Sequence, residues 1–260
     1  MAARAIWKGE LLLGELRLPV KLYSAVEDRA VHFRMLHARD LAPVEQRIFR
    51  KSDGKEVPRE EQRKAYQVDA QTAVILQPED METLEPPPSR DIEFCQFIPA
   101  GLLSDQWFDR PYYLGPDGHT EDYFACAEAL RRQEVIGIAR WVMRKQRYLG
   151  ALSAIGGYLT MTTLRRADQV LSFAGVEPEK TTAPHANEIK LAEQLVRSIA
   201  GKFDPKQWHS EYRDRVRAMA EAKARGRTIA PFKPRKRAVQ GDLAASLKAS
   251  IAAARGRRVA

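Results

Sequence analysis

Cysteine is scarce in this chain, and its placement restricts what the protein can be. The 260 residues include two cysteines, Cys95 and Cys126, which lie far apart and form no C-x-x-C pair. Two isolated thiols cannot make the disulfide framework of a secreted domain or the ligand set of a structural zinc site. We therefore expect both thiols to be buried and reduced, in a cytoplasmic protein that binds no metal.

Long hydrophobic runs are also missing. No apolar stretch approaches the roughly 20 residues that a membrane-spanning helix needs, and hydrophobic residues make up 44% of the chain against 30% charged. The first residues, Met1 to Lys8, lack the apolar segment of a secretory signal and pass directly into a strand pattern. These absences predict neither membrane insertion nor export.

Recognisable catalytic motifs are lacking as well. Gly9 to Gly14 have the glycine spacing of a phosphate-binding loop, but Glu15 and Leu16 stand where lysine and serine or threonine must act. The five histidines do not cluster, and no serine, histidine and acid trio stands in a catalytic context. The sequence therefore predicts a protein that is not an enzyme, with no catalytic residue and no cofactor.

Positive charge is abundant, and it is concentrated at one end. Residues 202–260 contain sixteen Lys and Arg against five Asp and Glu, a net charge of +11. The preceding 201 residues contain 27 basic and 29 acidic residues, a net charge of −2. A nearly neutral body with a basic tail favours a polyanionic partner, and nucleic acid is the default because neutralised phosphates release counterions.

The first part of the chain has the period-two alternation of half-buried β-strands. Thr120 is expected to cap a helix that continues to about Gln133. The segments that predict strands are Leu16–Leu22, Val31–Met35, Ala73–Leu76, Ile92–Gln96, Tyr112–Leu114, Val135–Arg147 and Tyr158–Leu164.

Residues 44–68 have a different character. Apolar residues are sparse there, and basic residues surround a turn at Ser52–Gly54. This pattern indicates a hairpin excursion with too little apolar surface to join a core. We predict that its cations contact DNA, and these are Arg47, Arg50, Lys51, Lys55, Arg59, Arg63 and Lys64.

A second basic set lies on the predicted strand that ends at Arg147. Arg140 and Arg144 share one face of that strand, with Lys145 and Arg147 beside them. Such side chains suit contact with the DNA backbone, because they reach phosphate oxygens without reading a base. No helix-turn-helix, zinc finger or aromatic RNA-binding strand is present to read sequence.

After Pro184 the period changes to that of helices. Ile189, Ala192, Val196, Ile199 and Phe203 form one helical face, and Asp204-Pro205 is expected to cap a second helix with the stripe Trp208, Tyr212, Val216 and Met219. A proline-containing basic linker follows, and Asp242 is expected to cap a last short helix. We predict DNA contacts from Lys233, Arg235, Lys236 and Arg237, and partner docking by Leu243, Leu247 and Ile251.

Two alternatives remain open at this point. Glu188-Ile189-Lys190 resembles the acidic-x-Lys half of a metal-dependent nuclease site, although glutamate is also expected at a helix N-terminus for the dipole alone. A membrane-surface protein could use the basic tail instead. The last helix has a narrow apolar stripe without Trp or Phe, which makes insertion into lipid weak.

The whole chain resembles the bacterial Ku proteins, the DNA-end-binding factors of non-homologous end joining. The order of the matching motifs over nearly the full length makes the resemblance specific. The matching segments are Ile6–Gly9, Leu18–Tyr23, Tyr112–Pro116, Asp122–Tyr123, Ala129–Leu130, Val142–Arg144, Tyr148–Leu149, Glu188–Leu195, Phe203–Pro205, Glu211–Tyr212 and Leu243–Ser250.

This resemblance implies a mixed β+α fold: a β-barrel core with an extended bridge insertion, then a helical arm and a flexible basic C-terminal segment. The expected domains are a core at 1–184 with its bridge at about 40–70, a dimerisation arm at 185–226, and a DNA- and ligase-interacting segment at 227–260. The family members form homodimeric rings on double-stranded DNA ends and recruit an ATP-dependent DNA ligase, so a nucleoid-associated location is expected.

The sequence departs from the pattern of the family at two positions. Some members have a C-x-x-C in the bridge, where this chain has Lys51-Ser-Asp-Gly54, so no bound metal is expected. The usual Leu-Arg-Pro near the end of the Tyr148 strand is here Leu152-Ser153-Ala154. The second departure removes one basic residue from this part of the strand.

Overall fold

The computed structural model describes residues 4–172, 185–226 and 243–257, and in the last of these segments the side chains of 246–253. The chain divides into two compact units, one formed by residues 1–29 and 33–172 and the other by 30–32 and 173–260. The strands are β1 Trp7–Leu13, β2 Leu16–Ser24, β3 Lys64–Gln67, β4 Ala73–Leu76, β5 Asp91–Pro99, β6 Phe108–Pro116, β7 Val135–Met143, β8 Gln146–Ile155 and β9 Tyr158–Leu164. The helices are α1 Pro78–Leu84, α2 Thr120–Gln133, α3 Ala186–Ile199, α4 Glu211–Ala224 and α5 Leu243–Arg257.

Seven strands of the first unit close into a barrel, which confirms the expected fold class. Their order is β1-β2-β6-β9-β8-β7-β5, and β5 returns to β1 as the parallel pair of an otherwise antiparallel sheet. The alternation in β2 sets the register, because Leu18, Val20 and Leu22 are buried while the residues between them face outwards. Burying every second side chain in this way fills a small barrel with its own core.

Helix α2 packs on the barrel core through Tyr123, Ala127 and Leu130. The hydroxyl of Tyr123 donates to the carbonyl oxygen of Leu114 on β6 and accepts from the backbone N–H of Leu159 on β9, at 2.9 Å. This one hydroxyl therefore satisfies backbone groups of two adjacent strands inside the core.

Helix α2 begins one residue away from the predicted position. His119 has a left-handed φ of +44° and precedes the first turn, so Thr120 is the first helical residue rather than the cap. The predicted end at Gln133 is confirmed.

Most of the predicted strands are confirmed, and two predictions are wrong. Residues 31–35 form no strand, because their apolar side chains have no neighbouring strand to pair with, and Phe33 and Met35 are exposed. The segment 135–147 is two strands, because the chain reverses at Arg144 and Lys145. Both turn residues have positive φ, +50° and +62°, without the glycine or asparagine that usually marks such a turn.

Between β2 and β5 the chain makes an excursion, residues 25–90, in which no residue is buried. Its regular structure is limited to α1, the β3–β4 hairpin and a short 3-10 helix at Arg59–Glu61, with single bridges between Leu36 and Pro43 and between Phe49 and Glu56. A segment of this length without a core gains little from burial to offset its ordering entropy. The lack of buried residues agrees with the predicted excursion, and the excursion extends well beyond residues 44–68.

The second unit contains α3, α4 and α5. Helix α5 packs against α3, and among its described side chains Ile251 is the buried one, with 9% of its surface exposed. Ser210 caps α4 by accepting from the N–H of Arg213 at 3.3 Å. The predicted second helix is therefore a short 3-10 turn at Pro205–Gln207 followed by α4, and Trp208 lies between the two.

The two thiols have different environments. Cys126 is half-buried, and this burial raises its pKa. Cys95 is exposed, which contradicts the expected burial, because the register of β5 shifts between Phe94 and Gln96 and places Cys95 at the irregularity. Among the described residues, no helix combines the length and the apolar character that crossing a bilayer requires.

Candidate nucleic-acid interface

The seven predicted cations of the excursion all lie on its surface, and two of them are occupied by carboxylates. Arg47 is bound by Glu45 and by Glu56, whose Oε2 lies 2.9 Å from its Nη1. These hydrogen bonds, with Glu45 first, raise the pKa of Arg47. Arg50 pairs with Asp53 at 3.5 Å. Both arginines therefore form ion pairs within the excursion itself.

The remaining cations of this set are available to a partner. Arg63 donates to the carbonyl oxygens of Glu60 and Gln62, at 2.5 and 3.0 Å, so its charge is not neutralised. Four cations have no carboxylate partner in the part of the chain that the structure describes, and these are Lys51, Lys55, Arg59 and Lys64.

The turn at the tip of the excursion positions two of these lysines. The backbone N–H of Arg50 donates to the carbonyl oxygen of Lys55 at 2.8 Å, and Gly54 supplies the positive φ of +68° that the turn needs. Lys51 and Lys55 therefore lie on a short hydrogen-bonded turn, and both residues are exposed to solvent. Such an arrangement can follow a phosphate backbone without reading bases.

Three further cations of the excursion escaped prediction: Arg90 at its end, and Arg34 and Arg39 in the stretch around Phe33. All three are exposed, and no carboxylate among the described residues pairs with any of them. The alternation around Phe33 assigned this stretch to a strand, which hid its membership of the excursion. Their positive charge was the signal that could have identified them.

The second predicted set lies on the β7–β8 hairpin, and the structure divides it too. Arg140 binds Glu93 on β5 at 2.8 Å, and Lys145 binds Glu85 at 2.9 Å. Arg144 and Arg147 are exposed without a carboxylate partner among the described residues. Because Arg144 stands in the turn, it does not share a strand face with Arg140 as the sequence suggested.

The structure does not describe the predicted DNA contacts of the tail, Lys233, Arg235, Lys236 and Arg237, or the expected cap Asp242. Of the docking stripe, the side chain of Leu243 is not among those described. Leu247 is half-buried and lines a groove with Ile189 and Val196 of α3, and Ile251 is buried. The two described members of the docking stripe, Leu247 and Ile251, therefore face α3 within the same chain.

The nuclease alternative finds no support. Oε2 of Glu188 accepts from the backbone N–H of His185 at 3.0 Å, so this carboxylate caps α3 as the dipole argument expected. The described residues contain no group of three or more His, Cys, Asp and Glu side chains that could hold a metal ion.

The barrel, the core-free excursion and the unpaired cations together define a barrel-core protein equipped to contact a polyanion. A family model for the Ku70/Ku80 beta-barrel domain matches residues 12–191. The chain is 37% identical to the non-homologous end joining protein Ku of Anaeromyxobacter over 258 residues, 98% of this chain and 87% of the relative. It is 34% identical to the non-homologous end joining protein Ku 2 of Geotalea uraniireducens over 235 residues, 90% and 91% of the two chains. The chain therefore belongs to the Ku family of non-homologous end-joining proteins.

Proposed function

We propose that two copies of this chain form a ring that binds double-stranded DNA ends without sequence specificity in the repair of double-strand breaks. The observation that carries the proposal is the excursion at 25–90, which has no buried residue and exposes unpaired cations. The function of the protein is not catalytic: the ring holds a duplex and brings other proteins to the break. A factor with this role works at the nucleoid.

The physical basis of DNA binding is the phosphate backbone. Lysine and arginine side chains that neutralise phosphates release counterions, and this gain does not depend on sequence. An enclosing ring would collect such contacts around the duplex. Preference for ends then follows from topology, because only a free terminus can enter a closed ring.

Apolar exposure supports the homodimer. In the excursion, Phe33 and Leu84 are 68% and 71% exposed, and in the second unit Phe203 and Trp208 are 76% and 75% exposed. The Phe203 and Trp208 rings stack on each other with their centroids 6.4 Å apart. Two stacked and exposed aromatic rings form a contiguous apolar patch, which is typical of an interaction surface. We assign residues 185–226 to the arm that holds the second copy.

We further propose that the C-terminal segment, 227–260, adds DNA affinity and docks an ATP-dependent DNA ligase through Leu243, Leu247 and Ile251. Because Ile251 is covered by α3, docking requires α5 to separate from α3. Removing residues 227–260 should make the salt dependence of DNA binding shallower and abolish ligase binding while the dimer persists. Loss of the dimer in sedimentation would contradict this division of roles.

The test of end binding compares one DNA sequence in two forms. Linear duplex and the same duplex covalently closed are titrated with the full-length protein at equal ionic strength. We expect tight binding of several copies to long linear DNA and much weaker binding to the closed form. Equal affinity and stoichiometry for the two forms would refute threading over an end.

A further inference from the structure

A cleft of about 730 Å³ lies on the first unit. Three segments distant in the sequence line it: the start of β1, the last residues of the excursion before β5, and the β7–β8 turn. Four of its side chains are cations, Lys8, Arg90, Arg144 and Lys145, and one is an acid, Glu85. The cleft is therefore strongly positive.

Salt bridges leave two of these cations free. Lys8 lies 3.4 Å from Asp117, and Lys145 lies 2.9 Å from Glu85. Arg90 and Arg144 have no carboxylate partner among the described residues. Two guanidinium groups on one cleft form a natural receptor for a phosphate, since each presents a fork of donors that matches its oxygens.

Apolar side chains form most of the rest of the cleft wall. Trp7, Val142 and Met143 line it, and Trp7 is half-buried against the barrel core. A Cβ atom on Gly9 would overlap the Trp7 ring and the carbonyl oxygen of Arg90. The glycine thus lets the indole lie flat on β1, close to the segment that carries Arg90.

The turn that presents Arg144 is an unusual one. Arg144 and Lys145 both have positive φ, a conformation that asparagine and glycine adopt at lower energy. Two long basic side chains at this turn are thus kept at some cost in backbone energy. Their presence indicates a role for the charges that a standard turn sequence could not supply.

The ligand that matches this chemistry carries one phosphate and one flat apolar group, and the cleft has the volume of a small-molecule site rather than of a duplex groove. A base within a duplex is stacked and cannot enter. We propose that the cleft binds a single unpaired nucleotide at the end of a DNA strand, with its phosphate held by Arg90 and Arg144 and its base against the wall that contains Trp7. This inference rests on the proposed binding of DNA ends and adds a contact specific to the terminus.

The experiment uses full-length protein and two linear duplexes, one blunt and one with a single unpaired terminal 2-aminopurine nucleotide. We expect the overhang to bind about tenfold more tightly, the value of a charge-assisted contact, with quenched 2-aminopurine fluorescence. Arg144→Ala and Arg90→Ala should each bring the affinity ratio close to one and restore the fluorescence. Arg147→Ala, another unpaired exposed arginine of the same hairpin, lies outside the cleft and should leave the ratio unchanged.

Several outcomes separate this inference from the function on which it rests. Failure of the native protein to bind the blunt duplex would overturn the proposed function itself. Tight binding of both duplexes with equal affinity would overturn the nucleotide site alone. The same conclusion would follow if Arg147→Ala lowered the affinity ratio as much as Arg144→Ala and Arg90→Ala do. In a last measurement, free deoxyadenosine monophosphate and an unlabelled overhang duplex each compete with the 2-aminopurine overhang. If the free nucleotide abolishes the quenching as effectively as the unlabelled overhang does, the site is for a free nucleotide and not for a strand end.

Discussion

Replacing Lys51 and Lys55 by alanine tests the role of the excursion in DNA binding. Both lysines are exposed on a hydrogen-bonded turn, and no described carboxylate neutralises either of them. A homodimer would lose four ammonium groups, two from each copy. If each contacts one phosphate, the slope of log K against log salt should become shallower by about 3.6, at roughly 0.9 for each phosphate.

The difference in slope is large enough to measure. Between 50 and 200 mM salt, the native protein should lose on the order of 100-fold more affinity than the double variant. Fluorescence anisotropy with a labelled blunt duplex at four or more salt concentrations gives both slopes. At low salt the variant should also bind more weakly, and equally so for different DNA sequences, because phosphate contacts carry no base information.

A matched control removes charge elsewhere. Arg132→Ala on α2 deletes an exposed guanidinium that is bound to Glu128 at 2.7 Å, and it should leave the slope unchanged. An unchanged slope in the Lys51→Ala/Lys55→Ala variant, with normal thermal stability, would refute the reasoning. The excursion would then not face DNA, and its exposed cations would need another explanation.

Three further predictions concern the barrel and helix α2, which packs on it. Tyr123→Phe removes the hydroxyl that serves Leu114 and Leu159, so urea denaturation should show a loss of about 2–4 kcal/mol, and a loss below 0.5 kcal/mol would contradict the assignment. Gly9→Ala places a methyl group against Trp7 and should destabilise the protein by about 1–3 kcal/mol in the same assay, whereas a neutral effect would show that the indole moves freely. Hydrogen bonds from Arg131 and then Arg132 lower the pKa of Glu128 from 4.5 to about 2. The stabilising contribution of Glu128 is therefore present above pH 4.5 and is lost as the pH falls towards 2. Glu128→Gln should flatten that part of the curve of unfolding free energy against pH, and an unaltered curve would argue against the pairing.

Period-two alternation was a reliable guide where a strand had a core to face. In β2, the buried Leu18, Val20 and Leu22 follow the sequence pattern directly. The same alternation misled at Phe33 and Met35, where both side chains are exposed. Alternation reports two faces of a strand, and it cannot report whether a neighbouring strand exists to cover one of them.

The β7–β8 turn shows a different limit. Arg144 and Lys145 carry no turn signal, since neither is glycine, proline or asparagine, so one long strand was predicted in place of a hairpin. Pairing of Val142 with Arg147 and of Met143 with Gln146 closes the reversal. This tertiary pairing overrides the local preference of the two basic residues.

The sequence predicted which cations form the candidate interface, but it could not predict which of them pair with carboxylates. Charge alone identified Lys51 and Lys55, and it equally identified Arg47, which Glu45 and Glu56 occupy. The cleft escaped prediction because Trp7, Arg90 and Arg144 are brought together by barrel closure. Contacts between strands so distant in sequence leave no local signal.

A topological trap tests the proposed ring most directly. Full-length protein is loaded on linear DNA, the ends are then joined into a covalent circle, and the sample is moved to a salt concentration that strips protein from linear DNA. We expect the protein to remain on the circle and to leave once a restriction enzyme cuts it. Release from the intact circle at the same salt concentration as from linear DNA would contradict a closed ring around the duplex.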